Sequence, residues 1–196
     1  LMAPKDEAEM RDMLLTAIEH PGPAALRYPR GNGVGVDIAE FPQKLEIGRG
    51  EVLREGADAS VIAYGSMVHP SLAAADILAG CGIKVQVINA RFVKPLDAEL
   101  ILKAAADHEA IVTVEEGYLA GGFGSAVVEL LEENGVQDSV KVARLGVPDE
   151  IVTHGDQKVL LGQYGLDAEG IAAKVEATLE ALQKLSASEN RIRAVR

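Results

Sequence analysis

Cysteine, aromatic side chains and long apolar runs are all scarce in this sequence. The one cysteine, Cys81, excludes an internal disulfide, and we expect the chain to work in a reducing cytoplasm. No apolar run has the length of a signal peptide or a membrane span, so no membrane segment is predicted. Tryptophan is absent and aromatic residues make up only 4% of the chain. The abundance of alanine, valine, isoleucine and leucine favours parallel strands alternating with helices.

Basic residues are also in deficit. The 196 residues include 19 Lys and Arg against 30 Asp and Glu, which gives a formal net charge of -11. Such a chain repels nucleic-acid phosphates and anionic lipids, so we predict neither a nucleic-acid partner nor a membrane partner. The histidines show neither the spacing nor the cysteine neighbours of a metal site, and no metal site is predicted at His20, His69, His108 or His154.

Residues 1–33 predict a strand-helix-strand unit at the edge of a sheet. The helix is capped by Asp6, and the second strand ends at Pro29, which has no amide hydrogen for pairing. The unit opens on the end of a strand, so we expect that Leu1 is not the natural beginning of the polypeptide. The predicted helix carries four apolar residues on one face: Met10, Met13, Leu14 and Ile18.

The rest of the chain predicts a linker, a larger domain and a tail. Residues 34–48 contain glycine, proline and mixed charge without periodicity, which is typical of a linker. Residues 49–186 alternate apolar strands with helices, one of them capped by Asp97, which indicates a parallel sheet covered on both faces. Two helices, at about 156–163 and 167–186, close this domain. The polar residues 187–196 are expected to form a frayed tail.

A glycine-rich turn separates a predicted strand from a helix in "EEGYLAGGFGSAV", residues 115–127. Turns of this kind bind phosphates in nucleotide-binding proteins. Here Val127 replaces the third glycine of the dinucleotide motif, and Glu115 and Glu116 would repel an anion. We therefore expect the glycines to permit tight backbone packing. In an earlier strand-to-helix turn, we expect Ser66 to cap the helix that follows.

Two arginines flank a tyrosine and a proline in "LRYPRG", residues 26–31. Ligands of α/β sheets collect beyond the carboxyl ends of strands, and a guanidinium group suits a phosphate or carboxylate at that position. The alternative is that Arg27 and Arg30 pair with some of the thirty acidic residues. Composition alone favours pairing with acidic residues. The residues around the arginines have to show whether they bind a ligand instead.

A set of segments carries a resemblance to a known family: "RYPRGNGVGV" at 27–36, "NARFVKPLD" at 89–97, "VTVEEGYLAGGFGSAV" at 112–127, "GVPDEIVTHG" at 146–155 and "YGLDAEGI" at 164–171. Over nearly its whole length the sequence resembles the C-terminal third of the 1-deoxy-D-xylulose 5-phosphate synthases. The second and third segments are shared more loosely with transketolases and with beta subunits of 2-oxo acid dehydrogenases. The resemblance implies an α/β fold: a C-terminal transketolase-like domain, preceded by the last β-α-β piece of a pyrimidine-binding domain.

The resemblance also implies an activity. Enzymes of this family use thiamine diphosphate and Mg²⁺ to join pyruvate, with decarboxylation, to D-glyceraldehyde 3-phosphate, for isoprenoid and thiamine biosynthesis. It implies a homodimer in the bacterial cytoplasm, with small-molecule substrates and the remainder of the same polypeptide as partners. Arg30 is implied to bind the acceptor's phosphate. The implication is weaker for Arg27, whose side chain is expected on the opposite face of the strand beside an acidic partner.

The sequence departs from the family by what it does not contain. The family's diphosphate and magnesium motif, a Gly-Asp-Gly with a distal Asn, is absent, as is the glutamate that activates the cofactor. We therefore expect no catalytic residue in this segment, no binding of cofactor or metal by it, and no activity without the rest of the polypeptide. His69 and His154 are expected to have structural or interdomain roles. Two alternatives stay open: the C-terminal region of a 2-oxo acid dehydrogenase beta subunit, and a non-catalytic dimerisation module.

Overall fold

The computed structural model describes the backbone of residues 1–194 and the side chains of residues 1–185. The described residues form five strands and six helices in an alternating order. The strands are β1 (Glu51–Arg54), β2 (Ala59–Tyr64), β3 (Val85–Asn89), β4 (Ala110–Tyr118) and β5 (Lys141–Val147). The helices are α1 (Glu7–Glu19), α2 (Val68–Gly80), α3 (Ala98–Asp107), α4 (Phe123–Glu133), α5 (Gln157–Gln163) and α6 (Ala168–Ala194).

The five strands form one mainly parallel sheet in the order β1-β3-β2-β4-β5. Strand β1 runs antiparallel to β3, whereas the other three neighbouring pairs are parallel. Every residue of β2 and β3 is buried, as expected for central strands that are covered on both faces. The predicted α/β fold with a mainly parallel sheet is confirmed.

Each face of the sheet carries its own apolar core. Helices α2 and α6 cover one face, where Leu78 and Val175 are fully buried. Helices α3 and α4 cover the other face with Ile101 and Phe123. Helix α3 begins as predicted, because the Asp97 carboxylate accepts a hydrogen bond from the third residue of the helix at 3.1 Å. This two-sided burial explains why the central strands β2 and β3 are mostly apolar.

The two predicted strands within residues 1–33 are reduced to isolated bridges. Met2 pairs in parallel with Leu26 and antiparallel with Phe92, one residue pair in each case. Pro29 follows Leu26 and Pro95 follows Phe92, each three residues later, and neither has the amide hydrogen that a longer ladder needs. Because Phe92 lies just beyond β3, the N-terminal unit pairs directly with the sheet-containing domain.

Helix α1 begins as predicted, but its apolar face is buried only in part. Asp6 is its N-cap and accepts a hydrogen bond from the Glu9 amide at 2.9 Å. Of the apolar face identified in the sequence, Met13 is fully buried, whereas Leu14 is 43% exposed and Ile18 is 81% exposed. The buried side chains include polar ones, Glu9 and Thr16. The partners of these polar groups lie far away in the sequence, and no helical pattern reports them.

Residues 34–48 contain neither helix nor strand, yet they are bound closely to α1. Polar side chains along the helix replace the backbone partners that a regular structure would supply. The bonds join Arg11 to the Ala39 carbonyl at 2.5 Å, Asp12 to the Gln43 amide at 2.7 Å and Thr16 to the Leu45 amide at 2.8 Å. The linker is thus fixed as a strap along the helix.

Helix α6 continues to Ala194, about eight residues beyond the end that the sequence predicts. The predicted tail, 187–196, overlaps the end of this helix, and its side chains together with residues 195–196 lie outside the described residues. None of the helices among the described residues combines the length and the apolar character needed to cross a membrane.

Candidate phosphate-binding site

The arginine loop, residues 28–36, leaves the bridge at Leu26 and lies beside the start of α1. Arg30 is exposed within it, and among the described residues it has no hydrogen bond and no ion pair. Its neighbours Pro29 and Gly31 line a cavity of about 260 Å³, together with the first residues of α1. Arg30 itself is not among the lining residues. A free guanidinium group is able to bind an anion without breaking an existing pair.

Arg27, three residues earlier, is already bound to the larger domain. Its Nη2 donates a hydrogen bond to the backbone oxygen of Glu116 at 2.5 Å, and its Nη1 lies 3.5 Å from Oε2 of the same residue. Glu116 lies near the end of β4, so this pair attaches the N-terminal unit to the sheet. The two arginines therefore differ: Arg27 has the acidic partner expected for it, whereas Arg30 is free.

Glu116 is contacted by polar side chains from three parts of the chain. Besides Arg27, the Ser66 hydroxyl donates to its Oε2 at 2.7 Å, and Gln157 donates from Nε2 to its Oε1 at 3.2 Å. The prediction that Ser66 caps the next helix is wrong. A 3₁₀ turn, Gly65–Met67, precedes α2, no side chain caps that helix, and the hydroxyl meets β4 instead. Gln157 also lies beside the arginine loop, since a Cβ at Gly31 would be 3.5 Å from its Oε1.

A carboxylate of the chain already binds the amides of the glycine-rich turn before α4. The buried Glu115 carboxylate accepts hydrogen bonds from the amides of Phe123 and Gly124, both at 2.8 Å. It occupies the helix N-terminus where a phosphate would bind in a nucleotide-binding protein. A Cβ at Gly122 would lie 2.2 Å from the Tyr118 carbonyl oxygen, so the backbone packs too tightly there for any side chain. Tight packing, as the sequence predicts, accounts for this turn.

A second cavity, of about 220 Å³, is lined by Arg27, by Tyr64 and by residues of the glycine-rich turn. The buried Tyr64 hydroxyl has no hydrogen-bond partner among the described residues, and its ring stacks on Phe123 with centroids 5.1 Å apart. Burial raises the pKa of Tyr64 to about 12. The phenol therefore stays neutral at physiological pH and does not act as a base there.

The histidines lie apart from one another. His69 Nε2 is 3.2 Å from Asp6 Oδ2, and the contact joins α2 to the cap of α1. His108 is buried and bonds to two backbone carbonyls, whereas His154 is exposed. No group of three metal-ligating side chains occurs in the described part of the chain.

Two glutamates of α1 hold the unit together, and sequence reasoning missed both roles. The Glu9 carboxylate, 2% exposed, accepts hydrogen bonds from the Asn89 amide group and from Arg91 Nε, each at 2.8 Å. The Glu7 carboxylate accepts bonds from three successive amides of the arginine loop. The only sequence signal for either was the spacing of Lys5 and Glu9 four residues apart, which also suits an ordinary surface ion pair.

The sheet order and the glycine-rich turn define the class of this chain. It belongs to the family described as transketolase, C-terminal domain, whose sequence profile matches residues 48–171. That match begins at the end of the linker and reaches into α6.

Two curated relatives identify the particular enzymes that the chain is similar to. It is 55% identical over 180 residues to the 1-deoxy-D-xylulose-5-phosphate synthase 1 of Geobacter metallireducens, covering 92% of this chain and 29% of that protein. It is 55% identical over 172 residues to the 1-deoxy-D-xylulose-5-phosphate synthase of Heliobacterium modesticaldum, covering 88% of this chain and 26% of that protein. The chain thus spans less than a third of the length of these relatives. Its predicted resemblance to the C-terminal portion of the synthase is confirmed.

A solved structure with the same fold is described as a split gene transketolase, an inactive beta4 tetramer. The two structures superpose with a TM-score of 0.81 at 36% sequence identity. The match covers 91% of this chain and 57% of the other.

Proposed function

We propose that the chain is the C-terminal part of a thiamine diphosphate-dependent synthase that makes 1-deoxy-D-xylulose 5-phosphate from pyruvate and D-glyceraldehyde 3-phosphate, with loss of CO₂. The names of its relatives at 55% identity support the reaction. Within the chain, the observation that carries the proposal is the free guanidinium of Arg30, on a loop whose other arginine is bound to Glu116. The role of Arg30 is to bind the phosphate group of the acceptor.

The charge of the chain makes a local cation necessary for this role. With a net charge of -11, the chain repels a dianionic phosphate unless a positive group lies beside it. A guanidinium group offers two parallel N–H donors that match two phosphate oxygens, which fixes the orientation of the acceptor as well as its affinity. The phosphate lies at the end of the substrate remote from its aldehyde, so Arg30 binds and orients the acceptor and takes no part in bond formation.

The proposal assigns neither thiamine diphosphate nor Mg²⁺ to the described residues of this chain. The helix N-terminus that could hold a diphosphate is filled by the Glu115 carboxylate, which would repel it. The described residues bring no three metal ligands together. In the proposal both groups are bound by other parts of the polypeptide, and these 196 residues alone are inactive.

The proposed assembly is a homodimer in the bacterial cytoplasm, acting in isoprenoid and thiamine biosynthesis. The neighbour described as an inactive beta4 tetramer of a split gene transketolase supports two parts of this proposal. That protein is described as a tetramer and as inactive, which supports self-association of the fold and inactivity of the 196-residue chain on its own.

The test uses the complete polypeptide, pyruvate, D-glyceraldehyde 3-phosphate, thiamine diphosphate and Mg²⁺. We expect a phosphorylated pentulose and CO₂ in equal amounts, detected by mass spectrometry, and no product from the 196-residue chain alone. Replacing Arg30 removes hydrogen bonds to a charged group worth about 1.5–3 kcal/mol, so Arg30→Ala should raise KM for the acceptor about 10- to 150-fold. Arg54→Ala is the matched control and should leave this KM unchanged. Arg54 is a partly exposed arginine of β1 that pairs with Asp76 of α2.

Two results would overturn the proposal. With an oxidised lipoyl acceptor added to the same assay, formation of an acyl-lipoyl product without any phosphorylated pentulose would favour a 2-oxo acid dehydrogenase beta subunit. An unchanged KM for the acceptor in Arg30→Ala, with product still formed, would remove the phosphate role of Arg30.

A further inference from the structure

The side-chain carboxylate of Glu7 binds backbone amides of the arginine loop. Its Oε2 accepts a hydrogen bond from the Val34 amide at 2.9 Å, and its Oε1 accepts from the Gly35 amide at 2.6 Å and the Val36 amide at 3.1 Å. Three successive amides that converge on one carboxylate form an anion-binding nest, and each bond is assisted by the negative charge. Hydrogen bonds from its own backbone amide and from Gly35 lower the pKa of Glu7, so it is ionised at neutral pH.

The glycines of the loop are placed so that this carboxylate fits. A Cβ at Gly33 would lie 2.7 Å from the carboxylate carbon of Glu7, closer than side chains approach in folded proteins. Gly35 has a φ of +91°, which side chains rarely adopt. The string "GNGVG" therefore supplies the room and the backbone shape that the Glu7 carboxylate needs.

Arg30 lies between two fixed points on the chain. On one side, the Arg27 amide donates to the Met2 carbonyl at 2.9 Å, and the Arg27 side chain is bound to Glu116. On the other side, Glu7 holds residues 34–36. The six residues between these points include Pro29, whose ring restricts the backbone further. Arg30 makes no bond of its own among the described residues, so these two attachments set where its side chain begins.

We propose that Glu7 is a positioning residue for Arg30: by binding the amides of residues 34–36 it fixes the loop that presents the guanidinium to the acceptor's phosphate. This inference rests on the proposed function. It assigns Glu7 a share of phosphate affinity although Glu7 carries the same sign of charge as the ligand. The reason is that a loop ordered in advance does not lose that freedom when the ligand binds.

The test compares two acceptors in the complete polypeptide: D-glyceraldehyde 3-phosphate and D-glyceraldehyde, which lacks the phosphate. Glu7→Ala should raise KM for the phosphorylated acceptor about 5- to 20-fold, while KM for pyruvate and kcat/KM for D-glyceraldehyde stay at their wild-type values. Glu7→Gln, which keeps one amide oxygen as an acceptor, should recover part of the loss. Asp12→Ala is the matched control, since Asp12 binds the strap at Gln43, far beyond the loop, and it should leave all three constants unchanged.

A double variant separates this inference from the proposed function. If Glu7 acts through Arg30, Glu7→Ala should add no further loss in an Arg30→Ala background. An Arg30→Ala variant with raised KM beside a Glu7→Ala variant with wild-type KM would overturn the inference and leave the proposed function standing. An Arg30→Ala variant with wild-type KM would overturn the proposed function itself. Equal losses with both acceptors in Glu7→Ala would show a general structural defect and would also overturn the inference.

Discussion

The buried carboxylate of Glu9 joins α1 to the sheet-containing domain, and its removal should cost the chain much of its stability. Glu9 accepts hydrogen bonds from the Lys5 amide at 2.8 Å, from Asn89 Nδ2 at 2.8 Å and from Arg91 Nε at 2.8 Å. Glu9→Ala would leave these three donors without their acceptor. Arg91 keeps a second bond, to Glu51 at 2.6 Å, so its charge is not left wholly unpaired.

The magnitude follows from the burial of the group. Removing one partner of a buried ion pair costs about 3–5 kcal/mol, and each buried donor left without an acceptor costs about 1–3 kcal/mol. Because Arg91 retains Glu51 and water is able to enter the space, the lower value, about 3 kcal/mol, is expected. In a chain of this size that corresponds to a fall in Tm of about 6–12 °C.

The assay is urea unfolding of the 196-residue chain, followed by circular dichroism, with Glu19→Ala as the control on the same helix. Glu19 is 48% exposed and pairs with Lys44 at 3.1 Å, so its loss should cost less than about 1 kcal/mol. Glu9→Ala and Arg91→Ala should also be non-additive by at least about 1 kcal/mol, because they remove the same contact. A Glu9→Ala variant as stable as Glu19→Ala would refute the reasoning.

Three further substitutions give separate checks. Gly56→Ala should destabilise the chain by at least about 2 kcal/mol, because the new Cβ would lie 2.2 Å from the Val85 carbonyl carbon and 2.3 Å from the Gln86 nitrogen. Gly80→Ala, at the end of α2 with open space around it, should instead stabilise it by up to about 1 kcal/mol, and the urea midpoints should move in opposite directions. An alkaline absorbance titration should show a tyrosine that ionises at a pH of about 12, and Tyr64→Phe should remove that step. Because burial raises this pKa, the free energy of unfolding should fall as the pH rises from the ordinary tyrosine value of about 10 through 12. If Tyr64→Phe removes a step near pH 10 and none near pH 12, the assignment of the raised pKa to Tyr64 is wrong.

The sequence predicts the sheet well and the N-terminal unit poorly, for a physical reason. Strands buried on both faces are mostly apolar, so their positions are visible in the residues themselves. The buried side of α1 combines Met13 with the polar Glu9 and Thr16, and the hydrogen-bond partners of Glu9 include Asn89, 80 positions away. No local pattern carries that information, and the apolar residues Leu14 and Ile18 are exposed.

The candidate site divides in the same way. Arg30 stands out in the sequence because it follows a short strand and a proline, but its proposed phosphate role comes from the family resemblance, since composition alone favours pairing of both arginines. Glu7 is not predictable, because it binds amides 27 to 29 residues away and looks in the sequence like an ordinary acidic residue in the first turn of a helix. Ser66 fails as a cap because it lies within the 3₁₀ turn before α2, whose N-cap position is Met67.

The preference of the complete polypeptide for a phosphorylated acceptor tests the central claim most directly. The quantity is the ratio of kcat/KM for D-glyceraldehyde 3-phosphate to kcat/KM for D-glyceraldehyde, measured in the wild type and in Arg30→Ala. If Arg30 binds the phosphate, this ratio should fall at least about tenfold in the variant, almost entirely through the phosphorylated acceptor. A ratio that is the same in both proteins would contradict the account.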